Sequence, residues 1–306
     1  MIRVGVIRGG TGHQYEKSLA TGGFVLQNLP KDLYQTVDIY IDREGVWHLN
    51  GLPVTEEMLA SRIDMVWNAL HGFYGEDGKI QQVLQNLGIP YIGSDPFTSM
   101  VTMDKKLLRE LLTNLQVKVP RGIYIEDWGN EDRDETVAET VRTVSTKLSP
   151  PWIVEPISKG AGDGGIRANT RDELVTVLSQ MFELQMPVLV EEMVLGKDVS
   201  ISTTTDFRGE PIYAFLPTEK DNHRTHLTKK ESEPLQKLAK EIHKNMNLGH
   251  YSRVEATITP RGHIYVRNIE TIPSLHEGAD LHKALADVGS SFKELAASLI
   301  SKAMGK

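Results

Sequence analysis

Residues 63–81 read IDMVWNALHGFYGEDGKIQ. The run from Ile63 to Leu70 is nearly all apolar, so a strand covered on both faces, as in a parallel sheet, is expected. His71-Gly72 ends that strand, and glycines 72, 75 and 78 with Glu76-Asp77 make a loop that opens a helix at Lys79. The N-terminus repeats the pattern: IRVGVI (2–7), the turn RGGTG, then a helix from Glu16 to Asn28. TVDIYI (36–41), a turn at 43–45 into VWHLNG, and the short strand IPYIGS complete the region. Such β-α-β alternation implies an open parallel sheet, whose ligands sit beyond the carboxyl ends of its strands. Gly9-Gly10 and His71-Gly72 both lie at such ends. A helix start beside glycines favours a bound anion; the plain alternative for His71 is a helix-entry residue.

Further along, a single helix is expected over 97–115, then strand, acidic loop and helix over 120–150. KDVSISTTTDFRGEPIYAFL reads as two strands about Arg208-Gly209, followed by a helix over 230–246, a hairpin closed at 260–262 and a final helix over 291–304. Boundaries near Asp95-Pro96 and Met186-Pro187 divide the chain into 1–95, 96–186 and 187–306. The fold class is α/β with an open parallel sheet in the first part and α+β in the other two.

Composition narrows the function. The 306 residues are 40% hydrophobic and 25% charged, as in an ordinary globular protein. A net charge of −7 with dispersed cations argues against nucleic acid or an anionic membrane as partner. Cysteine is absent, which removes disulfides, thiolate nucleophiles and cysteine zinc sites. The chain opens directly as a strand, with neither a signal-peptide pattern nor an apolar run of roughly 20 residues. A cytoplasmic location is expected.

Three segments carry chemistry. WIVEPISKGAGDGGI (152–166) runs a strand into a loop with Gly160, Gly162, Gly164 and Gly165, whose backbone N–H groups suit phosphate oxygens. Glu155 leads into that loop as an anion. In SRVEATITPRGHIYVRNIE (252–270), residues two apart share a strand face, so Arg253 with Glu255, and Asn268 with Glu270, point together. Oxygen ligands of that kind suit Mg²⁺; the plain alternative is a sheet face with a cross-strand salt bridge. VLVEEMVLGKD (188–198) ends a strand in Glu191-Glu192, which fits a base and ribose or simply a polar strand end.

With these pieces in this order, the chain resembles the D-alanine–D-alanine ligases of the ATP-grasp superfamily over essentially its full length. RGGTGHQYEKS (8–18) is similar to the family's first-strand turn, HGFYGEDGKIQ to its HGxxGEDGxxQ motif, and YIGS, MDK and SRVEA…VRNIETIPS follow in register. The resemblance implies an ATP-grasp fold of three domains, ATP and Mg²⁺ (or Mn²⁺) as cofactors, D-alanine or a similar amino acid as substrate, and a homodimer. By position it implies Lys105 at the phosphates beside Gly160, Gly162 and Gly164, and Lys159 in the same loop is a stand-in for the lysine that Glu155 replaces. Glu191 and Glu192 would stand at the adenine and Asp198 at the ribose. Arg253 would stabilise the transferred phosphoryl group. Glu255, Asn268 and Glu270 would hold the metal, with Gln14, Glu16 and His71 beside the first substrate.

Several positions depart from that pattern. Glu155 replaces a lysine that faces phosphate; like charges ~4 Å apart cost about 4 kcal/mol even at an effective dielectric of ~20. Gln14 replaces a glutamate, Ala161-Gly162 a serine pair, and Ala279 a serine that grips the second substrate. The metal ligands are rearranged to Glu255, Asn268 and Glu270, and Pro273-Ser274 replaces Pro-Gly. No counterpart of the family's lid appears between Leu216 and Glu231, where His223, Arg224 and His226 stand instead. Three readings stay open: an active ligase, a catalytically impaired relative that binds a ligand or partner, and a ligase with a different acceptor.

Overall fold

The structure, a computed structural model, describes residues 1–129, 132–158, 165–220 and 227–305. It divides into two compact units. The first comprises Met1–Thr102, Asp198–Glu255 and Asn268–Lys306; the second comprises Met103–Lys197 and Ala256–Arg267.

The first unit opens with β1 (Ile2–Gly9), α1 (Tyr15–Asn28), β2 (Tyr34–Ile41), β3 (Trp47–Leu49) and β4 (Leu52–Val54). β5 (Met65–Asn68), α2 (Lys79–Asn86), β6 (Tyr91–Ile92) and α3 (Pro96–Met103) follow. The sheet order is β4-β3-β2-β1-β5-β6. β1 pairs in parallel with β2 and β5, and β5 with β6, as the alternation implied. β3 returns antiparallel along β2, as the turn at 43–45 suggested. Both faces of the parallel part are covered. Val4, Val6, Met65 and Trp67 enter one core cluster; Ile7, Ile39, Ile41 and Val66 enter another.

The second unit holds α4 (Lys105–Asn114), β7 (Gly122–Ile125), α5 (Arg133–Lys147), β8 (Trp152–Pro156), β9 (Ile166–Ala168), α6 (Arg171–Glu183) and β10 (Val188–Glu192). The single helix expected over 97–115 is two helices. Asp104 adopts an extended backbone, and its carboxylate accepts from Lys106 N and Leu107 N, so it caps a new helix instead of continuing the old one. The sheet order is β7-β10-β8-β9, with β10 antiparallel to both β7 and β8. The boundary expected at Met186-Pro187 therefore falls inside this unit. α5 and α6 pack their apolar faces, including Val141, Val144, Leu174 and Leu178, against Trp152, Val154, Val188 and Val190.

The chain then supplies β11 (Lys197–Phe207), β12 (Glu210–Ala214), β13 (Thr218–Glu219), α7 (Lys229–Asn245), β14 (Tyr251–Ile258), β15 (Ile264–Glu270), α8 (Asp280–Asp287) and α9 (Phe292–Ala303). The third sheet runs β12-β11-β14-β15, with β13 added on β11. α8, short and with its buried face confined to Leu281, Ala284 and Leu285, was not expected.

His243, on α7, lies 2.8 Å by its Nδ1 from both Thr203 Oγ1 and Ser252 Oγ, and its Nε2 faces Gly249 O at 3.2 Å. A backbone carbonyl on Nε2 assigns the proton there and leaves Nδ1 to accept from a hydroxyl. Burial depresses this imidazole to about 4. The unfolded chain protonates it near 6.5, so its contribution is intact above that pH and is lost as pH falls toward 4. About 3 kcal/mol of the wild type's stability is expected to disappear across that window, and His243→Gln should flatten that part of a denaturation-versus-pH series. An unchanged slope in the variant would count against the assignment.

Candidate active site

Two sets of charged side chains lie where the motifs point, one in each unit. In the first unit the ends of β1 and β5 are tied together: Gly9 N donates to Ser18 Oγ at 2.9 Å, and Ser18 Oγ donates to Ala69 O at 2.9 Å. Gly9 has φ +90, and a Cβ there would lie 2.1 Å from Ile41 O, so only glycine makes this turn. Gly78 caps α2 with φ +89, where a Cβ would lie 2.4 Å from Pro96 O.

The loop between these glycines turns inward. His71 is buried, with Nε2 2.9 Å from Thr21 Oγ1, and Gln14 packs against Gly72. Burial first, then Lys17, Arg253 and His276, hold His71 well below its usual pKa, so its ring is neutral. Glu76 is buried too, and its carboxylate accepts from Gly72 N at 2.6 Å. Burial raises it to about 7, with Lys17 opposing the shift and Glu270 adding to it. Glu16 lies outside this group, exposed and 3.2 Å from Arg43.

At its centre stands Arg253. Its guanidinium reaches Glu270 at 2.8 Å, Asp280 at 2.8 Å and Glu255 at 3.1 Å. Glu255 also meets Lys220 at 2.7 Å, and Glu270 meets Lys17 at 3.5 Å. Burial pushes the Glu255 and Glu270 carboxyls up, but Arg253 and the two lysines more than offset it, so both lie below the usual range. For Arg253 burial opposes the charge, and the surrounding carboxylates outweigh it and raise its pKa. The face-sharing expected for Arg253, Glu255 and Glu270 is thus realised as ion pairs. The side chain of Asn268 is buried, and its Oδ1 has no hydrogen-bond partner among the described residues.

These oxygens fit a hard divalent cation: two carboxylates held ionised, plus an orphaned buried amide oxygen. Among the described residues no group of three His, Cys, Asp or Glu could hold a metal alone, so a bound ion would draw further ligands from phosphate and water. Lys17, Glu76, Lys220 and Asp280 belong to this cluster and were not anticipated. Lys17 and Glu76 stood inside the quoted motifs; Asp280 carries no local signal, being the first residue of α8 and bound by Ser200 Oγ at 2.7 Å. Ala279, before it, is buried at the helix cap and offers no side-chain cap.

In the second unit, Lys105 and Arg109 sit one turn apart on α4. Lys105 Nζ is 3.0 Å from Glu155 Oε2. Arg109 grips Glu191 twice, Nε to Oε1 at 2.7 Å and Nη2 to Oε2 at 3.0 Å, and its Nη1 donates to Val266 O at 3.2 Å. Glu191 is therefore engaged by arginine. Glu192 accepts from Ser149 N at 2.9 Å, with Arg121 3.5 Å away. The Asp198 carbonyl accepts from Lys220 N at 2.9 Å. Lys159, Gly160, Ala161, Gly162 and Gly164 lie outside the described residues, as do His223, Arg224 and His226.

Known proteins are similar to this chain along its whole length. Residues 52–94 match the family described as D-ala D-ala ligase N-terminus, and residues 213–301 match D-ala D-ala ligase C-terminus. A D-alanine–D-alanine ligase of Aquifex aeolicus is 28% identical, the match covering 98% of this chain and 100% of that one. Among solved structures, the Bacillus anthracis D-alanine–D-alanine ligase complexed with ATP superposes with a TM-score of 0.78 at 25% identity, covering 100% of this chain and 98% of that one. D-alanyl-alanine synthetase A of Vibrio cholerae gives 0.83 at 20% identity, covering 100% and 99%. The fold is the ATP-grasp fold of these ligases. Matched by two of the family's profiles over 52–94 and 213–301, and by relatives along its whole length, this chain is similar to the D-alanine–D-alanine ligases.

Proposed function

We propose that this protein is an ATP-dependent ligase joining one D-alanine to another in the cytoplasm, as a step toward peptidoglycan. The observation that carries this reading is Arg253, a guanidinium 16% exposed and set among Glu255, Glu270 and Asp280 in the same unit as the loops of His71 and Gln14. A fixed cation in a water-poor site stabilises charge that develops on a transferring phosphoryl group. A carboxylate oxygen of the first amino acid attacks the γ-phosphorus and ADP leaves. The amine of the second, having lost a proton, attacks the acyl carbon and phosphate leaves.

In this reading Gln14 and His71 orient the first amino acid, while Glu16 keeps to its exposed pair with Arg43. Lys105 and Lys159, with Gly160, Gly162 and Gly164, meet the phosphates, while Glu191, Glu192 and Asp198 serve the base and ribose. Glu255, Asn268 and Glu270 hold Mg²⁺ or Mn²⁺, which neutralises phosphate charge when bound. Residues 1–95 carry the substrate loops, the central part the phosphate loop, and the C-terminal part the metal ligands. No helix among the described residues is long and apolar enough to cross a membrane.

The test is D-alanine-dependent phosphate release from MgATP, with the dipeptide identified by mass spectrometry. Turnover supports the reading, and a product other than the D-alanine dipeptide reveals a changed acceptor. Silence across a panel of D- and L-amino acids from folded protein supports a ligand-binding relative. The homodimer implied by the resemblance belongs to the same proposal, and a one-chain mass in light scattering overturns it.

A further inference from the structure

The four charges on one face of the second unit form a closed set. Lys105 and Arg109 are four residues apart on α4, so both point to the same side of the helix. On the facing sheet, Leu189 is paired with Glu155 and Ile153 with Glu191 in the antiparallel register of β8 and β10. Cross-strand partners share a face and so do residues two apart, which puts Glu155 and Glu191 on one side of the sheet as diagonal neighbours. The helix thus lays two cations against two carboxylates, and the set is neutral. Its members are nearly closed to water: Lys105 is 5% exposed, Arg109 4%, Glu191 6% and Glu155 16%.

Arg109 is committed at all three of its nitrogens, two to Glu191 and the third to Val266 O, so its plane is fixed on those partners. That leaves Lys105 as the member able to meet an anion, and it does so only in competition with the Glu155 carboxylate 3.0 Å away. The Lys105 backbone strengthens the arrangement, since its N–H donates to Ile157 O at 2.9 Å and ties the start of α4 to the chain just past β8. The ammonium cannot leave Glu155 by shifting its helix without breaking that bond.

We propose that Glu155 is a positioning residue that holds Lys105 in a neutral pair and thereby sets the donor selectivity of the site. Each further phosphate on a nucleotide then adds repulsion from Glu155, while the two cations of this set are already paired with carboxylates. This rests on the reading that Lys105 meets the donor phosphates. Without divalent ions, the wild type binds AMP at least as well as ADP, and ADP at least as well as ATP. Neutralising Glu155 frees the lysine and reverses the order.

The experiment is calorimetric titration of Mg-free AMP, ADP and ATP into the full chain, its E155Q variant and its E155D variant. E155Q tightens ATP at least tenfold and AMP less than twofold, whereas E155D, which keeps the charge, behaves as the wild type. In turnover, E155Q lowers KM for ATP more than it changes kcat, a split that mere loosening of the fold does not give. Equal ATP affinity in wild type and E155Q, with saturable binding in both, overturns the role of Glu155 and leaves the donor reading standing. No binding of any of the three nucleotides to either protein removes the donor reading and this proposal together. Should E155Q not fold, the wild-type series decides alone: affinity that climbs with each added phosphate overturns the proposal.

Discussion

Arg253→Ala is expected to lower kcat for D-alanine-dependent phosphate release by about 10²- to 10³-fold, the loss seen when one fixed donor to a developing charge is removed. Arg253 is placed for that effect by three carboxylates that fix its plane, and the ammonium of Lys, whose donors diverge from one nitrogen, cannot reproduce that planar fork. Arg253→Lys should therefore recover only a small part of the rate. The alanine variant also strands Glu270, 1% exposed, beside Glu255 and Asp280 without their shared counter-ion. Removing one partner of a buried charge group costs about 3–5 kcal/mol, so denaturant unfolding should shift together with the rate. A variant that keeps more than a tenth of the wild-type kcat would remove Arg253 from the proposed chemistry. One that loses the rate but unfolds like the wild type would show that the carboxylates are solvated and relax.

The second large effect belongs to the other unit and concerns stability alone. Arg109→Ala should cost about 3–5 kcal/mol, because Glu191 would stay buried with neither of its two short arginine bonds. The loss of the Nη1 bond also leaves Val266 O without that donor. Replacing both partners, Arg109→Met with Glu191→Leu, should restore most of the loss, since apolar side chains of similar size remove the desolvation cost along with the attraction. Urea unfolding of the two single variants and the double variant closes the cycle. Equal destabilisation of the double and the single variants would mean that the pair contributes net stability and is more than a neutralised burial.

The double variant also bears on function. If Glu191 accepts a hydrogen bond from the base of a nucleotide, nucleotide affinity falls in the double variant even where stability is restored. If affinity holds, its carboxylate serves only Arg109.

Much of this was legible from short stretches, because the relevant physics is short-ranged. The apolar run over 63–70, the glycines at 9 and 78 and the helix following Lys79 follow from side-chain periodicity and left-handed backbone, which neighbours in the chain decide. The hairpin carrying Arg253, Glu255, Asn268 and Glu270 was equally readable, since alternation alone puts residues two apart on one face. One local signal was misread: in the helical run over 97–115, the Asp104 carboxylate competes for the backbone N–H groups of Lys106 and Leu107 and starts a second helix.

What spacing could not show is which charge each of these groups would meet. Glu155 stood in the sequence as an anion in a phosphate loop; in the fold it is the partner of Lys105, 50 residues earlier in the chain and 3.0 Å away. Glu191 stood as a strand end for a base and is held by Arg109, and Asp280, with no motif around it, completes the setting of Arg253. Coulomb attraction and desolvation depend on distance and burial, and both are set by how α4 lies on its sheet and where α8 begins, not by order along the chain. The sequence by itself determined the strands, turns and faces that bring these groups forward, while the tertiary structure decided which of them neutralise one another.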